Sequence, residues 1–267
     1  MSSAEVDPEL AHGGYTHPGS FIDDGQPNIS WRQVELLLTN TQLLTRLTRK
    51  LRRHLQRRTI RDYFQSHPIR KLQLGSGENP LDGWLNTDLE PSASMILLDI
   101  RQPFPFDDNS FDYLFSEHLI EHVSYQHGLR CLKECFRVLR GGAKIRVATP
   151  DLSFLVALYA DEKNDCQRQY LEWSMEMFAP QLKVPQETFV VNNFFRNWGH
   201  QFIYDYKALQ VALAQAGFVD IQRVEVHVSE DPVLRGLESH DRVIPPEFNK
   251  LETMVAEAIK PMPPVMV

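Results

Sequence analysis

The chain has 267 residues, of which 42% are hydrophobic and 24% charged, and its formal net charge is −7. Such a chain can bury a sizeable core, and its acidic balance argues against bulk nucleic-acid binding. No apolar run approaches the roughly 18 residues that a membrane-spanning helix requires.

Residues 1–28 are rich in Pro, Gly, Asp and Ser and read as a loosely ordered arm. The opening Met1-Ser2-Ser3-Ala4-Glu5-Val6-Asp7 has neither the basic nor the apolar region of a secretory signal, so a cytoplasmic location is expected. Three cysteines, Cys131, Cys135 and Cys166, fit free thiols in a reducing compartment. Ser30 opens a helix, with Gln33 at capping-box spacing. Val34, Leu37, Leu38, Leu44, Leu47, Leu51 and Leu55 then recur at helical intervals. Arg46, Arg49, Lys50, Arg52, Arg53, Arg57, Arg58 and Arg61 make this stretch basic. A solvated helix face docked through its leucines is the preferred reading over an anion-binding patch, and a homodimer through these helices is expected. The arm and basic helices occupy residues 1–68, ending at Pro68, and the main domain occupies 69–267.

Within that domain short apolar runs alternate with helical patterns. Strands are expected at 71–74, 84–88, 95–98, 111–115 and 144–149, with turn-rich sequence over 103–109. A helix is expected over 125–139, stopped by Gly141-Gly142. Asp151 caps a further helix, another covers 166–178, and a third runs over 205–216 to Gly217. Residues 221–228 alternate as a strand, and 251–259 read as a last strand. This order implies a mostly parallel α/β sheet with ligands at its carboxyl end.

The first strand enters Gly75-Ser76-Gly77, and the second ends on Asp88. Glycines admit tight turns and close backbone approach, and a strand-end carboxylate can accept from a ribose diol. A nicotinamide fingerprint fails here: Pro80 stands where a third glycine or alanine is needed, and Asp88 comes only thirteen residues after Gly75. No Gly-Lys-Ser/Thr follows, which excludes a P-loop.

Later segments keep the same order: Asp99-Ile100, Asp108-Asn109-Ser110-Phe111-Asp112, Ser116 to His122, and Glu134 to Gly142 leading into Thr149-Pro150. With these, residues 69–149 and more loosely 202–260 resemble the class I S-adenosylmethionine-dependent methyltransferases, in the branch called methyltransferase type 11. The resemblance implies a Rossmann-like methyltransferase fold, a mostly parallel seven-stranded sheet flanked by helices, with an N-terminal helical extension. It implies S-adenosyl-L-methionine as cofactor, held by Gly75, Ser76, Gly77, Asp88, Leu89, Asp99, Ile100, Ser116, Glu117 and His118. Asp88 would take the ribose hydroxyls, Asp99 and the Ile100 amide the adenine, and Ser116 to His118 the sulfonium end. Gln73 stands where the family's acid is usual, and the first crossover helix is nearly deleted.

Methyl transfer to oxygen or nitrogen needs alignment and removal of a proton, a task suited to histidine. His118, His122 and His200 are the catalytic candidates. The spacing of His118 and His122, with Glu117 or Glu121 as a third ligand, also suits a metal, but no His-Glu-X-X-His pattern is present and no metal is expected. Residues 151–203 form a lid-like insertion in which Arg196, Trp198 and Tyr204 are candidates for substrate binding. The expected reaction is methyl transfer to a small-molecule or saccharide-like acceptor. The alternatives are a non-catalytic cofactor-binding regulatory or scaffold protein and an NAD-dependent oxidoreductase or epimerase.

Overall fold

A computed structural model describes residues 56–92, 95–182 and 184–263. The arm and helices expected over residues 1–55, with most of the basic stretch, lie outside the described residues. All that is described belongs to one compact unit, residues 53–267. Among the described residues no helix is long and apolar enough to cross a membrane.

The frame is a seven-stranded sheet with the order β3-β2-β1-β4-β5-β7-β6. Its strands are β1 (Lys71–Leu74), β2 (Leu85–Asp88), β3 (Ile96–Leu97), β4 (Phe111–Glu117), β5 (Leu139–Pro150), β6 (Val219–Val224) and β7 (Thr253–Ile259). Strands β1 to β5 run parallel, and β7 runs antiparallel between β5 and β6. The central strands are apolar on both faces because helices cover both sides: Leu72, Leu114, Phe115, Ile145 and Val147 are buried. The sheet therefore has the mostly parallel, seven-stranded form expected.

Helix α1 covers 56–66 and is fixed by Tyr63, whose hydroxyl accepts from the Lys71 amide at 2.8 Å. Helix α2 (Tyr125–Val138) crosses from β4 to β5. Helices α3 (Leu152–Ala157), α4 (Asp165–Phe178) and α5 (Glu187–Arg196) lie between β5 and α6 (Tyr206–Ala216). Helix α7 (Pro246–Glu252) leads directly into β7. The caps follow local chemistry. The Asp151 carboxylate accepts from the Ser153 amide, and Asp205 accepts from Ala208 at 2.7 Å. Gly217 closes α6 in the left-handed region at φ 110°.

One expectation is corrected. Gly141-Gly142 does not stop α2. The helix ends at Val138, and both glycines lie inside β5. There the register jumps from Phe111↔Leu139 to Tyr113↔Lys144, so the pair forms a bulge. Helix α5 lies within the segment expected as a lid-like insertion.

The β1–β2 connection holds no helix, as the short spacing implied. Buried Gln73 organises it instead: its amide donates to the Asn79 carbonyl at 3.1 Å, and its oxygen accepts from the Leu81 amide at 3.0 Å. A second hydrophobic cluster forms within the insertion from Phe154, Leu155, Tyr170, Met175, Val190 and Phe194, joined by Phe248 of α7. Fully buried Arg146 of β5 pairs with Glu238 and Glu257, each at 2.5 Å, and ties the segment after β6 to the sheet.

Candidate functional site

The glycine turn and the β2 acid meet as their spacing predicted. Gly75 and Gly77 take φ of 63° and 50°, where an L side chain is strained. A Cβ at Gly75 would lie 2.8 Å from the Leu119 side chain, while one at Gly77 would face open space. The Asp88 carboxylate accepts from the Gly77 amide and the Glu90 amide, each at 2.9 Å. Ser76 is buried, and its amide donates to Thr87. Leu89 is 55% exposed beside this acid. Asp99 ends the β3 segment with both oxygens on Arg101, which holds its carboxyl below the usual range. Ile100 is buried behind it.

The carboxyl end of β4 carries the second half of the site. Ser116 pairs with Leu74 across β1 and β4. Glu117 turns away from the glycine loop: it accepts from the amides of Ser239 and His240 and from the Ser239 hydroxyl. Its carboxylate anchors the segment bearing His240. His118 sits at φ 45°, a conformation that non-glycine residues hold only under surrounding constraint. It directs a ring nitrogen to within 3.3 Å of Glu121. Burial alone would pull the His118 pKa down, but the Glu121 carboxylate beside it and the charges of Glu252 and Glu117 raise it overall. Burial alone would push the Glu121 carboxyl up, but His118 and His122 hold it below the usual range.

A cavity of about 370 Å³ opens over these groups. Its polar end is His118, His122, His200, His240 and Glu252, and its apolar walls include Tyr170, Trp173, Phe178 and Trp198. The main chain joins the two segments that supply His122 and His200, since the amides of Gln201 and Phe202 donate to the Glu121 carbonyl at 2.7 and 3.2 Å. His200 bonds the Phe194 carbonyl through Nδ1 at 2.7 Å, which assigns the proton to that nitrogen and leaves Nε2 as an acceptor. Burial lowers the His200 pKa from its ordinary value.

Two groups here have metal-ligand chemistry, His118–His240–Glu252 and Glu121–His122–His200, with the ligand atoms in each group within 4.8 Å of one another.

The structure thus gathers His118, His122, His200 and Trp198 around one cavity. The other two substrate-binding candidates lie elsewhere. Tyr204 is fully buried in the main core against Tyr125 and Phe202, because its position packs under α2. Arg196, at the end of α5, lines a separate cleft with Ser174 and Gln181. Sequence reasoning missed Tyr170, Trp173, His240 and Glu252. Each sits in an ordinary helical or loop context that carries no local signal.

Residues 80–147 match the family described as a methyltransferase domain, type 11. No curated protein matches the chain. Among solved structures, an Archaeoglobus fulgidus S-adenosylmethionine-dependent methyltransferase is 16% identical, covering 78% of this chain and 94% of that one, with a TM-score of 0.45. A Mesorhizobium loti methyltransferase is 13% identical over 72% of this chain and 91% of that one, with a TM-score of 0.44. Phosphoethanolamine N-methyltransferase 2 of Haemonchus contortus is 15% identical over 73% of this chain, with a TM-score of 0.41, and the chain spans about half (49%) of its length. The matched segment begins in the β1–β2 connection and runs into β5. With its seven-stranded order the chain has the Rossmann-like methyltransferase fold, and its segment from the β1–β2 connection into β5 is similar to that methyltransferase domain.

Proposed function

We propose that the protein transfers a methyl group from S-adenosylmethionine to an oxygen or nitrogen of a small acceptor bound in the aromatic cavity. The observation that carries this reading is the join at Leu119. Its side chain packs over Gly75 of the glycine turn, and its chain neighbour His118 lines the cavity. Cofactor loop and cavity therefore share one wall.

The residues fit a nucleoside cofactor. Asp88 offers an ionisable strand-end carboxylate for hydroxyl groups, and exposed Leu89 beside it offers uncovered apolar surface. Gly75, Ser76 and Gly77 bring main chain close without intervening side chains larger than a hydroxyl. Asp99, Ile100 and Ser116 complete the cradle in this reading, while Glu117 acts through the loop it anchors. The bound cofactor would supply an already activated methyl group.

The chain's own work is alignment, exclusion of water and handling of the acceptor's proton. Trp173, Phe178 and Trp198 favour a flat, largely apolar acceptor over a saccharide, which would need a polar wall. His122 and His200 meet the acceptor's reacting atom. His118, paired with Glu121, fixes the wall beside it. Residues 151–203 act as the cover.

Binding and turnover together test this. S-adenosylhomocysteine should bind in the micromolar range, and labelled methyl should pass from the cofactor to phenolic or amine acceptors. Binding without transfer to any acceptor in a metabolite extract would favour the non-catalytic alternative.

A further inference from the structure

We propose that Glu121, His122 and His200 form a site for a divalent transition-metal cation, of the zinc class, at the polar end of the cavity. The role given to the ion rests on the methyl-transfer reading, but the site itself rests on geometry alone.

Three features separate this group from its neighbour. In the His118–His240–Glu252 group the donor atoms are already engaged. His240 Nε2 is 3.2 Å from Glu252, the other Glu252 oxygen accepts from the Tyr170 hydroxyl, and His118 Nε2 lies 3.2 Å from the Thr253 hydroxyl. In the Glu121 group the donors are turned inward with lone pairs to give. Fully buried Glu121 Oε1 has no hydrogen-bond partner, with His118 Nδ1 at 3.3 Å and His122 Nε2 at 4.0 Å. Such a buried carboxylate oxygen is costly to leave without a hydrogen bond, and the His118 ring beside it offsets that cost only in part.

Second, the outer contacts are those that orient metal ligands. The other Glu121 oxygen is held by the Thr149 hydroxyl at 2.9 Å, and His200 gives its Nδ1 proton to a main-chain carbonyl. That arrangement fixes the tautomer and points Nε2 outward. Third, the two ligand-bearing segments are bonded main chain to main chain through the Glu121 carbonyl, so the group is preorganised. Tetrahedral zinc with bonds of about 2.0–2.1 Å holds its ligands roughly 3.4 Å apart. The group, with ligand atoms within 4.8 Å of one another, reaches that spacing by side-chain rotation.

Two imidazoles and one carboxylate leave further positions open, which is the form of a catalytic rather than structural site. Those positions face the cavity, where an acceptor hydroxyl could enter as a ligand. Coordination would lower that hydroxyl's pKa, with the proton passing to water. This assigns the chemistry of His122 and His200 to metal ligation, although the sequence carried no His-Glu-X-X-His pattern and the expectation was of no metal.

The test is titration of the full chain, first stripped with chelator, with Co²⁺ followed by visible absorption. One ion per chain is expected, displaced by Zn²⁺. His122→Ala and His200→Ala should each weaken binding about tenfold or more, with His240→Ala close to wild type. S-adenosylhomocysteine binding by the same variants reports an intact fold. Retained S-adenosylhomocysteine binding with no stoichiometric cobalt spectrum overturns the metal site and leaves the methyl-transfer reading standing. Loss confined to His240→Ala also overturns it. Cobalt binding by a chain that transfers no methyl group supports the site and removes only the role given to the ion.

Discussion

The Asp88 carboxylate accepts the Gly77 amide proton across the mouth of the glycine turn, at 2.9 Å. One contact thus fixes both the conformation of the turn and the direction of the acid. The carboxylate is held by main-chain donors alone, so its remaining lone pairs are free for a ligand.

Asp88→Ala should therefore weaken S-adenosylhomocysteine binding by roughly tenfold or more, the loss expected for a hydrogen-bonded charged group. Calorimetric titration measures it. An unchanged affinity would remove Asp88 from the cofactor site.

The two glycines should differ. Gly75→Ala adds a clash with Leu119 to left-handed strain, whereas Gly77→Ala adds strain alone. Left-handed strain costs roughly 1–2 kcal/mol for a non-glycine residue. Denaturant unfolding should find Gly75→Ala the less stable of the two, and equal losses would contradict the packing of Leu119.

Tyr204→Phe separates core from substrate pocket. The Tyr204 hydroxyl is buried and unpartnered, and burial pushes its pKa well up. Removing it should leave methyl transfer unchanged and raise stability by up to about 1 kcal/mol. His200→Ala should lower methyl transfer by about 10²-fold or more, with cofactor affinity held. A fall in transfer for Tyr204→Phe would return that hydroxyl to the site.

Glu134 and Arg137 carry the acid dependence of stability in α2. Glu134 accepts from Arg137 Nε at 2.9 Å and from the Phe104 amide at 2.6 Å, and the Arg137 hydrogen bond holds its carboxyl below the usual 4.5. A depressed folded pKa stabilises above the unfolded value and ceases to do so as pH falls through the folded one. Glu134→Gln should thus cost about 1 kcal/mol near neutrality, with the deficit shrinking below pH 4.5. A deficit that persists in acid would assign the effect to packing instead.

What the sequence determined by itself is local in origin. Alternating apolar runs set the parallel strands, Asp151, Asp205 and Gly217 set helix ends, and Gly75 to Asp88 set the turn and its acid. Each depends on residues close in the chain, where periodicity and capping act directly. The same locality explains the misread Gly141-Gly142. A glycine pair after a helix suits a cap or a bulge equally, and only pairing with β4 decides between them. The cavity was decided by tertiary structure alone. His118 meets His240 at 4.0 Å between ring centres, and Tyr170 meets Glu252, across more than 80 residues of intervening chain. Chain spacing carries no information about such contacts, because they arise when β7 returns antiparallel beside β5 and brings α7 over the strand ends. Tyr204 and Arg196 fell the other way for the same reason: aromatic or charged residues near a helix end can face core, cavity or solvent, and only packing chooses.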